Sequence, residues 1–243
     1  MVLLRATALS LALVTGAMLL LSRSRSAWIG AVVAAAVMVW LRWPRLRRLI
    51  AAGLLVLALI ILYVGPQVAL RSVFASNPQE TNRFVSIEDL EGRVVLWDYA
   101  LRIIREFPVT AIGLGAFRKA VFVLYPGLLQ GQSLDIGHAH NVFLQVALDV
   151  GIPGLSAYLA LVATALCIGW RAARTAGGEF RWLGLGIVGS LVAFHVYGIT
   201  DTVALGHKPG LTFWMLLGLA AALWTVAERG VAHRSDAVDS GVG

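Results

Sequence analysis

Charge is scarce in this 243-residue chain: Asp, Glu, Lys and Arg make up 14% of it against 59% apolar residues, and the mean hydropathy is +0.81. That balance excludes an ordinary soluble domain and marks an integral membrane protein. Cysteine is nearly absent too. Cys167 stands alone inside an apolar run, so no internal disulfide can form, and the count says nothing about redox compartment. Internal repeats and low-complexity tracts are missing; only the last dozen residues, rich in Ser, Gly, Asp and Val, read as a frayed tail. The net charge of +7 has no contiguous basic domain behind it, because its residues sit in short loops between apolar runs. A nucleic-acid partner is therefore excluded.

What the chain does have is long apolar sequence. Runs cover Val2 to Leu21, Ala27 to Leu41, Leu49 to Val64, Val142 to Trp170, Trp182 to Leu205 and Leu211 to Ala227, each near the roughly 20 residues a helix needs to cross hydrocarbon. The expected fold is an all-α integral membrane protein of about six transmembrane helices in contact with membrane lipids. Arg5 in the opening turn and the lack of a small-residue cleavage site favour a retained first span over a removable signal peptide. Arg42, Arg45, Arg47 and Arg48 mark one cytoplasmic loop, Arg171, Arg174 and Arg181 a second, and Arg229 with Arg234 the tail. The expected division is then 1–64 as three N-terminal spans, 65–139 as one large external loop, 140–227 as a broken helix plus two further spans, and 228–243 as a cytoplasmic tail. The large loop holds seven basic and seven acidic residues, so the excess charge is a topology signal.

Within that loop, Pro66, Pro78, Asn77 and Asn82 indicate irregular surface structure before Glu91. Residues 93–107 differ. At 100° per residue, Trp97, Ala100 and Ile104 fall within about 40° of Arg93, while Asp98, Arg102 and Arg105 lie opposite. An amphipathic helix ended by Pro108 is expected, with Arg93 on its apolar stripe. Two readings of Arg93 stand: it holds an anionic partner, or it snorkels or pairs with Glu88, Asp89 or Glu91 just before it. Gly113-Leu114-Gly115 permits a tight turn or close approach to a ligand, but it lacks the third glycine and the context of a dinucleotide fingerprint. Arg23 and Arg25 sit at the external end of the first two spans, against the positive-inside trend; Arg25, opening its span, is suited to a bound anion, with interfacial snorkelling as the competing reading.

The most informative stretch is His138-Ala139-His140-Asn141, where the polar loop enters apolar sequence. An imidazole there can accept a proton near neutral pH beside lipid, against the reading of a hydrogen-bonded structural histidine. The run that follows is too long for one straight span and is interrupted by Gly151-Ile152-Pro153-Gly154, so a break is expected, with a short helix over 140–150 lining a cavity. Asp149 lies about 180° around that helix from His140, which assigns it to freed backbone groups at the break. His138 is the competing base, expected to be more mobile. Asp201 should line the same cavity, His195 suits an interhelical hydrogen bond, and Lys208 adds a charge to a short external turn.

In these features the chain resembles the O-antigen ligase and polymerase superfamily, integral membrane transferases acting on polyprenyl-diphosphate-linked glycans at the external membrane face. The resemblance is carried by His140-Asn141, nine intervening residues and Gly151-Ile152-Pro153-Gly154, supported by Ser24-Arg25, Arg93 with Trp97, Pro108, and Gly113-Leu114-Gly115 with Phe117. It covers roughly Ser22 to Leu161, with a looser echo over His195 to Asp201. The resemblance implies an inner-membrane glycosyltransferase of cell-envelope polysaccharide synthesis, lipopolysaccharide among its products. Arg25 and Arg93 would bind the donor diphosphate, and His140 would serve as general base or orient the acceptor hydroxyl; Asn141, Asp149, Gly151, Gly154 and Asp201 would support them. The acceptor would be a glycan, lipid-core or protein hydroxyl. No cofactor and no metal is expected, arginines standing in for a metal at the diphosphate. Relatives usually have about twice as many crossings as the length rule gives here, so the chain resembles a C-terminal catalytic half, either truncated or served by a partner chain supplying further helices. The alternative from another class is a non-catalytic envelope-glycan permease or scaffold, against which the lack of repeated charged positions in the inner spans argues.

Overall fold

The computed structural model describes residues 2–64, 90–126, 137–175, 177–202 and 210–239. Its elements are α1 (Val2–Leu21), α2 (Arg25–Arg42), α3 (Arg47–Val64), α4 (Leu90–Glu106), α5 (Phe117–Leu124), α6 (Val142–Thr175), α7 (Gly178–Tyr197) and α8 (Gly210–Asp239), with a 3₁₀ turn at Pro44–Leu46. Among the described residues there is no strand, and five helices are long and apolar enough to cross a membrane. The Val2 to Leu21 run also forms a helix, whose described apolar part is the shorter Ala6–Leu21. The irregular segment expected before Glu91 and the turn carrying Lys208 lie outside the described residues. α8 runs on to Asp239, so the segment expected to fray is helical as far as that residue.

Four helices, α2, α6, α7 and α8, pack into the bundle that carries the site. With no hydrophobic drive between helices in lipid, close contact depends on small residues. A Cβ on Gly30 of α2 would lie 2.8 Å from the Ala193 carbonyl of α7, and one on Gly184 of α7 would lie 2.6 Å from the Gly169 carbonyl of α6. Tyr158, Leu191 and Phe213 fill the centre between α6, α7 and α8. There Leu191 O lies 2.7 Å from His195 Nδ1, which must donate to it, so Nε2 accepts from Tyr158 Oη at 2.8 Å. His195 is thus the interhelical link that its mid-span position suggested. α3 buries none of its described side chains in this bundle, and α1 is exposed along nearly all of its described length.

A second core joins α4 and α5 to the first part of α6, through Leu96, Ala100, Ile103, Phe117, Val121 and Leu148. The apolar stripe of α4 faces inward as its periodicity demands, with Ala100 fully buried and Asp98, Arg102 and Arg105 exposed. The helix begins three residues before the expected start.

Candidate functional site

The break in α6 builds the site. Gly151 has φ 75° and ψ 178°, a conformation open to glycine, and a Cβ there would sit 2.5 Å from the Val109 carbonyl. The segment after Pro108 crosses the break and exchanges hydrogen bonds with it: Ile152 N–H donates to Pro108 O at 2.8 Å, and Ile112 N–H donates to Leu148 O at 2.9 Å. So the backbone groups freed at the kink are satisfied by the α4–α5 connection. That corrects the expectation for Asp149. Its Oδ1 accepts from Gly115 N–H (3.1 Å) and from the Gln145 amide (2.8 Å), so it holds the glycine turn, not the broken helix ends. Gly113 (φ 93°) and Gly115 (φ 67°) supply the left-handed backbone this turn needs. Gly154 makes room for the Val150 side chain, 2.4 Å from where its Cβ would be.

Gln145, which the sequence reading passed over, completes the chain of contacts. It is 2% exposed, and its Oε1 accepts from Ala139 N–H at 2.9 Å. The loop bearing both histidines is thereby tied through Gln145 and Asp149 to the glycine turn. One signal was available: Gln145 and Asp149 are four apart, polar and on one face of an apolar run.

Asn141 caps α6. Its Oδ1 accepts from the N–H groups of Phe143 and Leu144, both at 3.0 Å, and its amide donates to Ile199 O at 2.9 Å. Val142 N–H also donates to Gly198 O, at 2.7 Å. These bonds fasten the start of α6 to the end of α7 and bring Asp201 to His140, with Nδ1 and Oδ1 3.4 Å apart. His140 itself has φ 46°, a left-handed conformation that costs a non-glycine residue of order 1–3 kcal/mol and persists only where its surroundings hold it. Asp201 takes Tyr197 Oη–H on Oδ2 and Thr202 N–H on Oδ1, both at 2.8 Å. Burial alone would raise its pKa; the His140 imidazole, the Thr202 N–H and the Tyr197 hydroxyl outweigh that and hold it at about 2. Asp201 is therefore a carboxylate at neutral pH.

His138 is closer to this pair than its place before the helix suggested. Its ring centroid lies 4.2 Å from that of His140, and its Nδ1 accepts from His140 N–H at 3.3 Å. His138, His140 and Asp201 offer one ligand atom each within 4.8 Å of one another. These three come together only in the fold, because Asp201 follows the end of α7, far along the chain from the two histidines.

Arg93 and Trp97, one turn apart on α4, are half-buried. Arg93 acts electrostatically on Tyr197, which ties α4 to the same end of the bundle. Five buried side-chain polar atoms among the described residues have no hydrogen-bond partner, and four belong here: Arg93 Nε, Trp97 Nε1, His140 Nδ1 and Thr202 Oγ1. Such a group typically costs about 1–3 kcal/mol when left unsatisfied. The acids just before Arg93 lie outside the described side chains. Arg25 is exposed at the first turn of α2, and the neighbouring Ser26 hydroxyl lies 2.8 Å from that of Thr200, so α2 opens at this end too.

A family model described as O-antigen ligase matches residues 9–159. The chain belongs to the O-antigen ligase family. The match spans α1 to the first part of α6 and takes in Arg25, Arg93, His140, Asn141, Gly151 and Gly154; Asp201 falls beyond it. A search of curated proteins finds no match. Membership makes this a multi-pass membrane protein of a family of glycan-processing enzymes, and implies a glycan or lipid-linked substrate.

Proposed function

We propose that this protein is a glycosyltransferase of the O-antigen ligase type, moving a glycan from a polyprenyl-diphosphate donor to a hydroxyl on a glycan, lipid core or protein, at the external face of the inner membrane. The observation that carries this reading is the gathering of N–H donors without a partner among the described residues, Arg93 Nε and Trp97 Nε1, at the end of the bundle where His140 faces an anionic Asp201. A diphosphate would satisfy such donors, and a guanidinium can offer it paired hydrogen bonds. The arginine-rich loops at the opposite end support an external orientation for the site, since short basic loops stay in the cytoplasm.

In this mechanism Asp201 faces His140 Nδ1–H and sets the tautomer, leaving Nε2 to take the acceptor's proton. The acceptor oxygen forms its bond to the anomeric carbon as the bond from that carbon to the diphosphate oxygen breaks. The polyprenyl diphosphate leaves with both electrons of that bond, and Arg93, with Arg25 at the mouth, offsets its growing charge. His140 becomes imidazolium beside the Asp201 carboxylate, a pairing that lowers the cost of the charge. The test is transfer from a lipid-linked donor by the full chain and by His140→Ala in vesicles, with insertion checked separately. Wild-type transfer abolished by the substitution supports the mechanism; equal rates would exclude it. Solute flux in proteoliposomes without any lipid-linked donor would favour a permease instead.

A further inference from the structure

The contact between His140 and Asp201 has a geometry that a proton does not fully explain. At 3.4 Å it is long for a charge-assisted hydrogen bond, which closes to about 2.7–2.9 Å, and His140 Nδ1 makes no hydrogen bond although it is shut off from water. Two ligands of one tetrahedral zinc ion, at bond lengths of about 2.0–2.1 Å, stand roughly 3.3–3.4 Å apart. His138 supplies a third donor within the 4.8 Å circle, and its ring lies against that of His140, with centroids 4.2 Å apart. Tyr197 and Thr202 already hold the Asp201 carboxylate in place, the kind of outer support that orients a ligating group. His140 is likewise fixed, by its left-handed backbone and by the Asn141 cap that follows it.

We propose that His138, His140 and Asp201 form a site for a zinc-like divalent cation whose binding withdraws His140 from proton transfer. Two imidazoles and one carboxylate suit a borderline-soft ion, whereas magnesium and calcium demand oxygen ligands that this cluster does not offer. The inhibitory consequence follows from the imidazole itself. A neutral ring that gives its Nδ1 lone pair to a metal carries its proton on Nε2, so Nε2 no longer accepts one from an acceptor hydroxyl. The inhibition rests on the proposed role of His140 as base; the binding does not.

The test uses the full chain in detergent, stripped with a chelator and titrated with zinc chloride against a chromophoric zinc indicator. His138→Gln is the informative variant, because its side-chain carbonyl can still accept from His140 N–H and preserve the loop; His138→Ala, with its melting temperature measured, is the second. One zinc per chain, bound at least tenfold more weakly by both variants and not displaced by excess magnesium, is the expected result. Equal affinity in wild type and His138→Gln would overturn the site. In the transfer assay, zinc should suppress the wild type at concentrations that leave His138→Gln active, and chelator alone should leave transfer intact. Loss of transfer on chelation with recovery on zinc addition would overturn the inhibitory assignment. Tight zinc binding without effect on transfer would do the same, and would count against His140 as the base while leaving the site in place.

Discussion

The two ends of the helix bundle handle positive charge in opposite ways. At the end away from His140, arginines lie over indoles: Arg42 is 5.3 Å from the ring centres of both Trp43 and Trp182, Arg171 is 5.6 Å from Trp224, and Arg174 is 5.9 Å from Trp170. Tryptophan belongs at such an interface, with its ring in the headgroup zone and its face toward a cation. There the protein largely completes its own charges, Arg42 Nε being the one buried exception among the described residues. At the His140 end, four buried polar atoms, one of them on His140 itself, have no partner among the described residues, and His138 and the Asp201 carboxylate lie close by. The difference teaches that arginine count alone does not locate chemistry in this protein. What separates the ends is whether the fold itself satisfies the polar groups it buries.

Substitutions at the two ends should break this contrast or sharpen it. The largest effect belongs to His140→Ala, expected to cut glycan transfer about a thousandfold, within the range a positioned general base contributes, as read by initial rates with a lipid-linked donor. Arg93→Ala should lower kcat/KM by about a hundredfold or more, and Arg93→Lys should recover only part of it, because an ammonium lacks the planar paired donors. Full recovery by lysine would show that charge alone matters at α4. Gly151→Ala should cost about 2–4 kcal/mol of stability, read as a fall in melting temperature in detergent, because its φ is left-handed and its Cβ would meet the Val109 carbonyl at 2.5 Å. At the other end, Arg171→Ala should leave transfer unchanged and cost roughly 0.5–1 kcal/mol, the loss of one exposed cation–π contact. The smallest effect is expected for Arg102→Ala, whose 2.8 Å pair with Asp98 is exposed on both sides and screened by water, so that transfer and melting temperature should both stay as in the wild type.

Part of this site was legible in the chain. The stripe of Arg93, Trp97, Ala100 and Ile104 could be read from helical periodicity because that face packs on α6, and a pattern driven by burial is written in the residues that bury. The interruption at Gly151 was legible for a similar reason, since glycine and proline state a backbone requirement directly. Asp149 was assigned to the right kind of partner, a backbone N–H, but in the wrong place. His140 lies before α6 with a left-handed backbone, so helix geometry does not fix the direction of Asp149 relative to it, nor can it say that the Gly115 turn will be brought against Asp149. His138 was set aside for preceding the helix, yet its ring lies against that of His140 because Gln145 draws the loop inward.

By itself, the sequence determined that this chain lives in a membrane, which segments form its long apolar helices, where one helix must break, and which family it resembles. Those are consequences of hydrophobicity, periodicity and residue-intrinsic backbone preference, all of which act over a few turns of helix. Only the tertiary structure decided that Asp201, from the end of α7, stands beside His140, and that Arg93 on α4 reaches the same end through Tyr197. Those meetings depend on how the start of α6 is fastened to Gly198 and Ile199 and how the Pro108 segment crosses the break. Such contacts join residues far apart in the chain, and no local pattern encodes which distant carbonyl will take a freed N–H.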